Sequence, residues 1–318
     1  MSKVLVTGGC GFIGSHLVCK LIKEGHKVIV IDNMNSDIYD KKLKFQRLKL
    51  IHKKIEKFYH MDLRNRPNVQ KVIKKHNIEK IMHLAAHAGV RHSIDYPDEY
   101  TSDIEGTVIL YDVARLNGIK DIVFASSSSV YGMNEDLPFT EKEIVDRPIS
   151  IYAASKRSCE LLGFTFCNLH NMNISNIRFF TVYGPWGRPD MALFTFVTNI
   201  LNDQEIEIFN NGNMTRDFTF VTDIVEGLYL AMIKPAGFKI YNLGSGQSIG
   251  LIEFVKEIEK ALGRPAKIIN KPMQLGDVKN TLASIELAKM ELGYKPQVSI
   301  RKGIPLFTNW YIKHYDKE

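Results

Sequence analysis

Cysteine is scarce in this 318-residue chain. The four present, Cys10, Cys19, Cys159 and Cys167, form neither a CxxC pair nor a zinc-ligand spacing. That pattern suits reduced, mostly buried thiols and leads us to expect a cytoplasmic setting. Long apolar runs are missing as well. None approaches the roughly 18 residues that a membrane span needs, so no membrane partner is expected. An apolar strand pattern begins almost at Met1, which leaves no room for a signal peptide. No internal repeat and no disordered linker divides the sequence. What remains is an ordinary globular balance, 45% hydrophobic and 24% charged residues, long enough for one large α/β unit or two coupled domains.

The formal charge is +7, and much of it lies in "KKLKFQRLKLIHKKIEK", residues 41–57. Leu43, Leu48, Leu50 and Ile51 interleave with the lysines there, as on a surface helix with one packed face. Nothing else basic and aromatic accompanies it, so we expect no nucleic-acid partner. A mild positive field would favour a polyanionic substrate.

The first half alternates apolar strands with helical stretches. "KVLVTGG", "KVIVID", "IEKIMHLAA" and "IKDIVFASSS" read as strands buried on both faces. Helical patterns lie at roughly 15–24, 40–51, 66–76 and 98–117, then at 151–170, followed by the strand "NISNIRFF". Repeated β-then-α order predicts an α/β fold, a Rossmann-type doubly wound parallel sheet. After Phe180 the texture changes. Short strands such as "IEIFNN" and "FKIYNLG" and helices near 193–202, 222–233, 250–261 and 284–291 predict a smaller mixed α/β lobe, with a cleft between the two.

"TGGCGFIG", Thr7 to Gly14, stands between the first strand and the first helix. Gly8, Gly11 and Gly14 let a backbone turn tightly and approach a pyrophosphate, whose charge then meets amides at the helix start. Asp32 ends the second strand. A carboxylate there accepts hydrogen bonds from an adenosine ribose and repels a 2′-phosphate, which favours NAD over NADP. Alternatively, Asp32 caps a turn.

Tyr152 and Lys156 in "YAASK" are four apart, on one face of a helix. A phenol is a poor base near neutrality. A neighbouring ammonium and a bound nicotinamide cation favour its ionised form. Upstream, "ASSSSVYG" (125–132) falls at the C-terminal end of a strand, the edge where open α/β sheets bind ligands.

With these motifs in this order, the chain resembles the extended short-chain dehydrogenase/reductases, in the NAD-dependent epimerase/dehydratase group, over nearly its whole length. The resemblance implies that Gly8, Gly11, Phe12, Ile13, Gly14, Asp32, Asn33, Asp62, Leu63, Leu84, Ala85, Ala86 and Phe179 hold NAD together with Tyr152 and Lys156. It makes Ser127, Tyr152 and Lys156 the catalytic triad. It also implies a homodimer joined through the helices near 98–117 and 151–170. The expected division is a Rossmann domain of residues 1–180 plus about 217–240, and a nucleotide-sugar-binding domain of about 181–216 and 241–318.

Related 4,6-dehydratases carry an Asp-Glu pair after the catalytic hydroxyl, where this chain has Ser128 and Ser129. Without an acid there, water elimination lacks a proton shuttle, so epimerisation at C4 is expected. The related decarboxylases generally carry a Glu in this stretch, and it is missing here; UDP-glucose/UDP-galactose epimerisation, UDP-glucuronate decarboxylation and a non-catalytic NAD-binding regulatory role stay open as alternatives.

The segment "RFFTVYGPWGRPDMA", Arg178 to Ala192, is similar to UDP-glucuronate 4-epimerases. The resemblance makes Arg188 the ligand of a C6 carboxylate, with Thr181 and Ser128 near the sugar. Arg216, Gln274 and Asp277 are implied contacts of the diphosphate and uridine of a UDP-sugar substrate. The bland alternative for Arg188 is an ion pair with Asp190. His87 and His92 depart from the family pattern, which has Gln and Tyr there. With no carboxylate or cysteine cluster evident beside them, no metal site is expected.

Overall fold

A computed structural model describes residues 1–274 and 276–315. The first half follows β1 (Lys3–Thr7), α1 (Phe12–Lys23), β2 (Lys27–Asp32), α2 (Lys42–Ile51), β3 (Lys57–His60), α3 (Arg66–His76), β4 (Lys80–His83), α4 (His92–Asp95), α5 (Thr101–Leu116), β5 (Asp121–Ser127), α6 (Ile151–His170) and β6 (Asn173–Phe179). The second half adds β7 (Thr181–Tyr183), α7 (Ala192–Leu201), β8 (Glu205–Phe209), β9 (Thr215–Arg216), β10 (Phe218–Phe220), α8 (Val221–Ile233), β11 (Phe238–Leu243), β12 (Ile249–Gly250), α9 (Leu251–Leu262), β13 (Lys267–Lys271) and α10 (Ile300–Tyr315).

Seven strands pair in the order β3-β2-β1-β4-β5-β6-β11, all parallel. Strand residues alternate between two buried layers, as a pleat with both faces covered requires. Val4, Val6, Val28 and Val30 pack with Leu17, Val18 and Leu21 of α1 and Ile224 and Leu228 of α8. Leu5, Ile29, Ile81 and Ile122 pack with Val69, Val72 and Ile73 of α3 and Leu110 of α5. The strand order reverses between β1 and β4, whose C-terminal ends bring Thr7 opposite His83. A crevice at such a reversal is the usual ligand site of this architecture.

The smaller lobe pairs β8 with β13 and β9 with β12. Its aromatic residues Phe194, Phe218, Phe254, Phe307 and Trp310 belong to the same continuous core as the valines of β1 and β2, so the lobes share one interior.

Several expectations are corrected. "FKIYNLG" is no strand of the small lobe: β11 pairs with β6 along its whole length and crosses the boundary expected near residue 240. The edge strand β3 was not anticipated, because "KFYH" is short and only partly covered. The basic stretch leaves the helix at Ile51. Leu50 is exposed, whereas Arg47 is fully buried. α10 was missed because Pro305 lies inside it, yet Ile304, Phe307, Trp310 and Tyr311 form a buried stripe at helical spacing. The helix expected near 284–291 shrinks to a π-helical turn at Ala288–Leu292. Among the described residues no helix is long and apolar enough to cross a membrane.

Candidate active site

The glycine loop is shaped by close approach. Gly8 stands at φ +70°, and a Cβ there would lie 2.7 Å from the Ala85 amide nitrogen. A Cβ on Gly14 would come within 2.1 Å of the Gly8 carbonyl oxygen. Only glycine lets α1 start directly over the loop. Gly11 caps α1 without a side-chain hydrogen bond, and no acid sits in the first turn. The amides at Phe12, Ile13 and Gly14 therefore begin a helix whose N-terminal donors suit an anion.

Asp32 is buried and accepts hydrogen bonds from the amides of Cys10 and Met34, both at 2.9 Å. It thus fixes the glycine loop as well as its own turn. Asn33 follows at the open edge, where its carbonyl meets His60 Nε2 at 2.9 Å. Asp62 grips Arg64 through Nε and Nη2 at 3.0 and 2.9 Å, and that guanidinium holds its carboxyl below the usual range. Leu63 is covered by α5, since a Cβ on Gly106 would be 3.3 Å from its Cβ. After β4, Leu84 and Ala85 donate to the carbonyl and hydroxyl of Thr7, and Ala86 continues along the crevice. His83 lies between the hydroxyls of Thr7 (2.8 Å) and Thr107 (3.0 Å). Burial pushes its imidazole down to about 3, so it is neutral.

The expected triad converges beside this crevice. Ser127 ends β5, opposite Phe179 of β6. Its hydroxyl accepts from the Ser129 amide at 3.1 Å and donates to the Ser129 hydroxyl at 3.2 Å. Ser128 opens the 3-10 turn that follows. Ser150 caps α6 by accepting from the Ala153 amide at 3.1 Å, which puts Tyr152 in the first turn. Lys156 is buried one turn later, and its Nζ donates to the Ala125 carbonyl at 2.8 Å. That ammonium lies 6.0 Å from the centre of the Tyr152 ring. The Tyr100 ring meets Tyr152 edge-on at 6.2 Å.

A further pair, Glu160 and Arg178, supports this arrangement and was not anticipated. Glu160 is fully buried, takes two hydrogen bonds of 2.9 Å from Arg178, and accepts from Ser126 Oγ at 2.6 Å. α6 thus grips β5 twice, through Lys156 and Glu160. The available signal was an acid four residues past Lys156 within an apolar helix.

On the other side of the cleft, Arg188 Nε donates to Asp190 at 3.0 Å and Nη2 donates to the Ala88 carbonyl at 3.0 Å. The Arg188–Asp190 ion pair therefore forms. Burial alone would lower the guanidinium pKa, but Asp190 raises it above its ordinary value, and Tyr152 contributes in the same sense. Arg188 and Thr181 line one cavity of about 20 Å³ that Phe12 and Tyr183 also wall. Arg216 Nη1 donates to the carbonyls of Thr215 and Lys279 at 3.0 and 2.9 Å. Gln274 Oε1 is buried without a hydrogen-bond partner among the described residues. Asp277 lies 3.9 Å from Arg91, an exposed residue that sequence reasoning passed over and whose guanidinium sits 5.2 Å over the Phe209 ring.

Contrary to the expectation from sequence, carboxylates do join His87 and His92. His87 Nδ1 meets Asp103 at 3.0 Å and Nε2 meets Asp37 at 3.2 Å. His92 Nε2 lies 2.6 Å from Glu99. The hydrogen bond to Asp103 raises the His87 pKa, with Asp37 adding to it. Ligand atoms of Asp37, His87 and Glu99 all fall within 4.8 Å of one another, an arrangement able to hold a metal ion. Sequence separations of 50 and 16 residues hid the partners of His87.

Known proteins resemble this chain over nearly its whole length. Residues 4–244 match the NAD dependent epimerase/dehydratase family. A UDP-glucuronate 4-epimerase of Thermodesulfobacterium geofontis is 41% identical over 313 residues, covering 98% of this chain and 96% of that protein. The crystal structure of UDP-glucuronic acid 4-epimerase from Bacillus cereus, in complex with UDP-glucuronic acid and NAD, superposes with a TM-score of 0.92 at 30% identity, covering 98% of this chain and 100% of that one. UDP-glucose 4-epimerase from Thermotoga maritima, with UDP-glucose, gives a TM-score of 0.90 at 30% identity, covering 98% and 99%. The chain belongs to the NAD-dependent epimerase/dehydratase family.

Proposed function

We propose that this chain epimerises UDP-glucuronate at C4 to UDP-galacturonate, through a 4-keto intermediate. The observation that carries the substrate is Arg188. Asp190 and Ala88 occupy its Nε and Nη2, which leaves Nη1 for a ligand carboxylate. The side chain shares a cavity with Thr181. A charge-assisted hydrogen bond from Nη1 favours a carboxylate over a neutral hydroxymethyl. The relatives and neighbours named for UDP-glucuronate support the same reading.

NAD fits the crevice between β1 and β4, where Gly8, Gly11 and the open start of α1 would meet its diphosphate, with Asp32, Asn33, Asp62, Leu63, Leu84, Ala85, Ala86 and Phe179 around it. When bound, it supplies a reversible hydride acceptor. The chain's own residues handle the proton and the geometry. Tyr152 takes the proton of the sugar 4-hydroxyl and later returns it. The Lys156 ammonium, 6.0 Å from the centre of the Tyr152 ring, stabilises the negative charge that develops on the phenol oxygen as the proton moves. Ser127 hydrogen-bonds the reacting oxygen, and Ser128 borders the sugar. Arg216, Gln274 and Asp277, with Arg91 beside them, would hold the UDP moiety; the oxygen of Gln274, without a partner among the described residues, suits a donor from a ligand. Arg188 both selects the acid and holds its carboxylate, so that the β-keto acid keeps its CO2.

The exposed apolar residues Leu161 and Leu169 on α6 and Leu116 on α5 support a homodimer joined through these helices. The free cysteines suit a cytoplasmic enzyme. The direct test is purified protein with UDP-glucuronate, UDP-glucose or UDP-galacturonate and no added NAD, with products resolved by NMR. UDP-galacturonate from UDP-glucuronate, and NAD released on denaturation, are expected. A pentose product, or no turnover of the acid, would overturn the assignment.

A further inference from the structure

We infer that Arg47 is a positioning residue for acid recognition: it sets the loop that presents Arg188 and ties that loop to the cofactor loop. This rests on the reading that Arg188 meets a substrate carboxylate.

Arg47 sits on α2, in the most basic stretch of the chain. Lys41, Lys42 and Lys49 around it are exposed, whereas Arg47 is fully buried. Its guanidinium reaches three separate segments. Nε and Nη2 donate to the Trp186 carbonyl at 3.1 and 2.7 Å, and Nη2 also donates to the Gly187 carbonyl at 3.1 Å. Nη1 donates to the Tyr39 hydroxyl at 2.7 Å and to the Cys10 carbonyl at 3.5 Å. Cys10 lies inside the glycine loop, and Trp186 and Gly187 immediately precede Arg188. Every one of these hydrogen bonds ends on a neutral oxygen.

A buried cation is costly to place, and it persists only where its hydrogen bonds are well satisfied. Here the fork stabilises a backbone that would otherwise relax. Trp186 stands at φ +62°, a left-handed conformation that residues with a Cβ avoid. Two contacts hold it there. Arg47 takes its carbonyl from one side, and the indole packs on Trp310 and His314 of α10 at 5.2 and 4.9 Å from the other. A turn of the Trp186 peptide would swing Arg188, two residues on, away from the Ala88 carbonyl and Thr181. A lysine offers a point charge and no planar fork, so it cannot hold the same set of oxygens.

The test compares Arg47→Met and Arg47→Lys with wild type. The readout is the ratio of kcat/KM on UDP-glucuronate to kcat/KM on UDP-glucose, with bound NAD and Tm measured alongside. Both variants should lower the ratio by about tenfold or more, the lower end of what a charge-assisted hydrogen bond discriminates, while UDP-glucose turnover changes far less. The double variant Arg47→Met/Arg188→Ala should fall no further than Arg188→Ala alone, because both substitutions remove one function. If the Met variant does not fold, the Lys variant, which keeps the buried cation, carries the same readout. Folded, NAD-loaded variants with an unchanged ratio, or effects that multiply in the double variant, would overturn the inference. Wild type that fails to distinguish the two sugars would instead remove the underlying reading of Arg188.

Discussion

Two loops reach the cleft from opposite sides, and they are built in opposite ways. The glycine loop, residues 8–14, works through backbone: the amides of Gly8, Cys10 and Gly11 pin it to β2, Asp32 and itself, and its contacts forbid a Cβ at Gly8 and Gly14. The loop at 184–191 works through a side chain, Arg188, and is held by side chains far away in sequence. Arg47 is 139 residues from Trp186, and the supporting indole of Trp310 comes from α10. A backbone site is therefore written in local spacing, whereas a side-chain site depends on what the fold brings beside it.

If the two loops are separable, removing the chemistry should leave the cofactor side intact. Tyr152→Phe should lower turnover by about 10²–10⁴-fold, the usual cost of losing a general base. Bound NAD and UDP-sugar affinity, read after denaturation and by calorimetry, should stay near wild type. Retained turnover would break the assignment of Tyr152.

The converse substitution attacks the backbone loop. Gly14→Ala forces a Cβ to within 2.1 Å of the Gly8 carbonyl oxygen, a main-chain atom with no rotamer to adopt. Overpacking of this kind costs about 1–3 kcal/mol. We expect a lower Tm and loss of co-purified NAD, with the preference between sugars preserved in whatever activity NAD addition restores. Unchanged NAD content would contradict the steric account.

A smaller effect tests His83, which stands at the strand reversal opposite Thr7. Its folded pKa is lowered to about 3, against about 6.5 in an unfolded chain. The unfolded state therefore takes up a proton first, and stability is lost as pH falls from about 6.5 toward 3. The loss should be about 2 kcal/mol at pH 5, measured by urea unfolding at pH 7 and pH 5. His83→Gln should remove that share of the pH dependence, and an unchanged difference would place the titration elsewhere.

The same contrast explains what was legible in the sequence. The alternating apolar strands, the glycine spacing and the Tyr152–Lys156 separation are short-range patterns, and each reappears in the fold as an element or a face. Asp32 was legible as an acid at a strand end, but its bonds to the Cys10 and Met34 amides needed the folded loop. Arg47 looked like one more surface cation, because period alone cannot tell a buried guanidinium from a solvated lysine. The carboxylates around His87 and the Glu160–Arg178 pair were equally hidden, since their partners arrive from separate elements. β11 was misplaced because an apolar run does not name its neighbouring strand. Pro305 concealed α10, although its buried stripe keeps helical spacing on both sides of the proline.

Whether Arg188, fixed on its loop, selects a uronate is decided by kcat/KM on UDP-glucuronate against UDP-glucose, followed by NMR, in wild type and in Arg188→Ala. A charge-assisted hydrogen bond contributes about 1.5–3 kcal/mol, or roughly 10- to 150-fold. Wild type should prefer the acid by about that factor, and Arg188→Ala should fall toward parity by losing activity on the acid alone. Equal wild-type rates on both sugars, or a variant that keeps the preference, would show that Arg188 does not select the substrate.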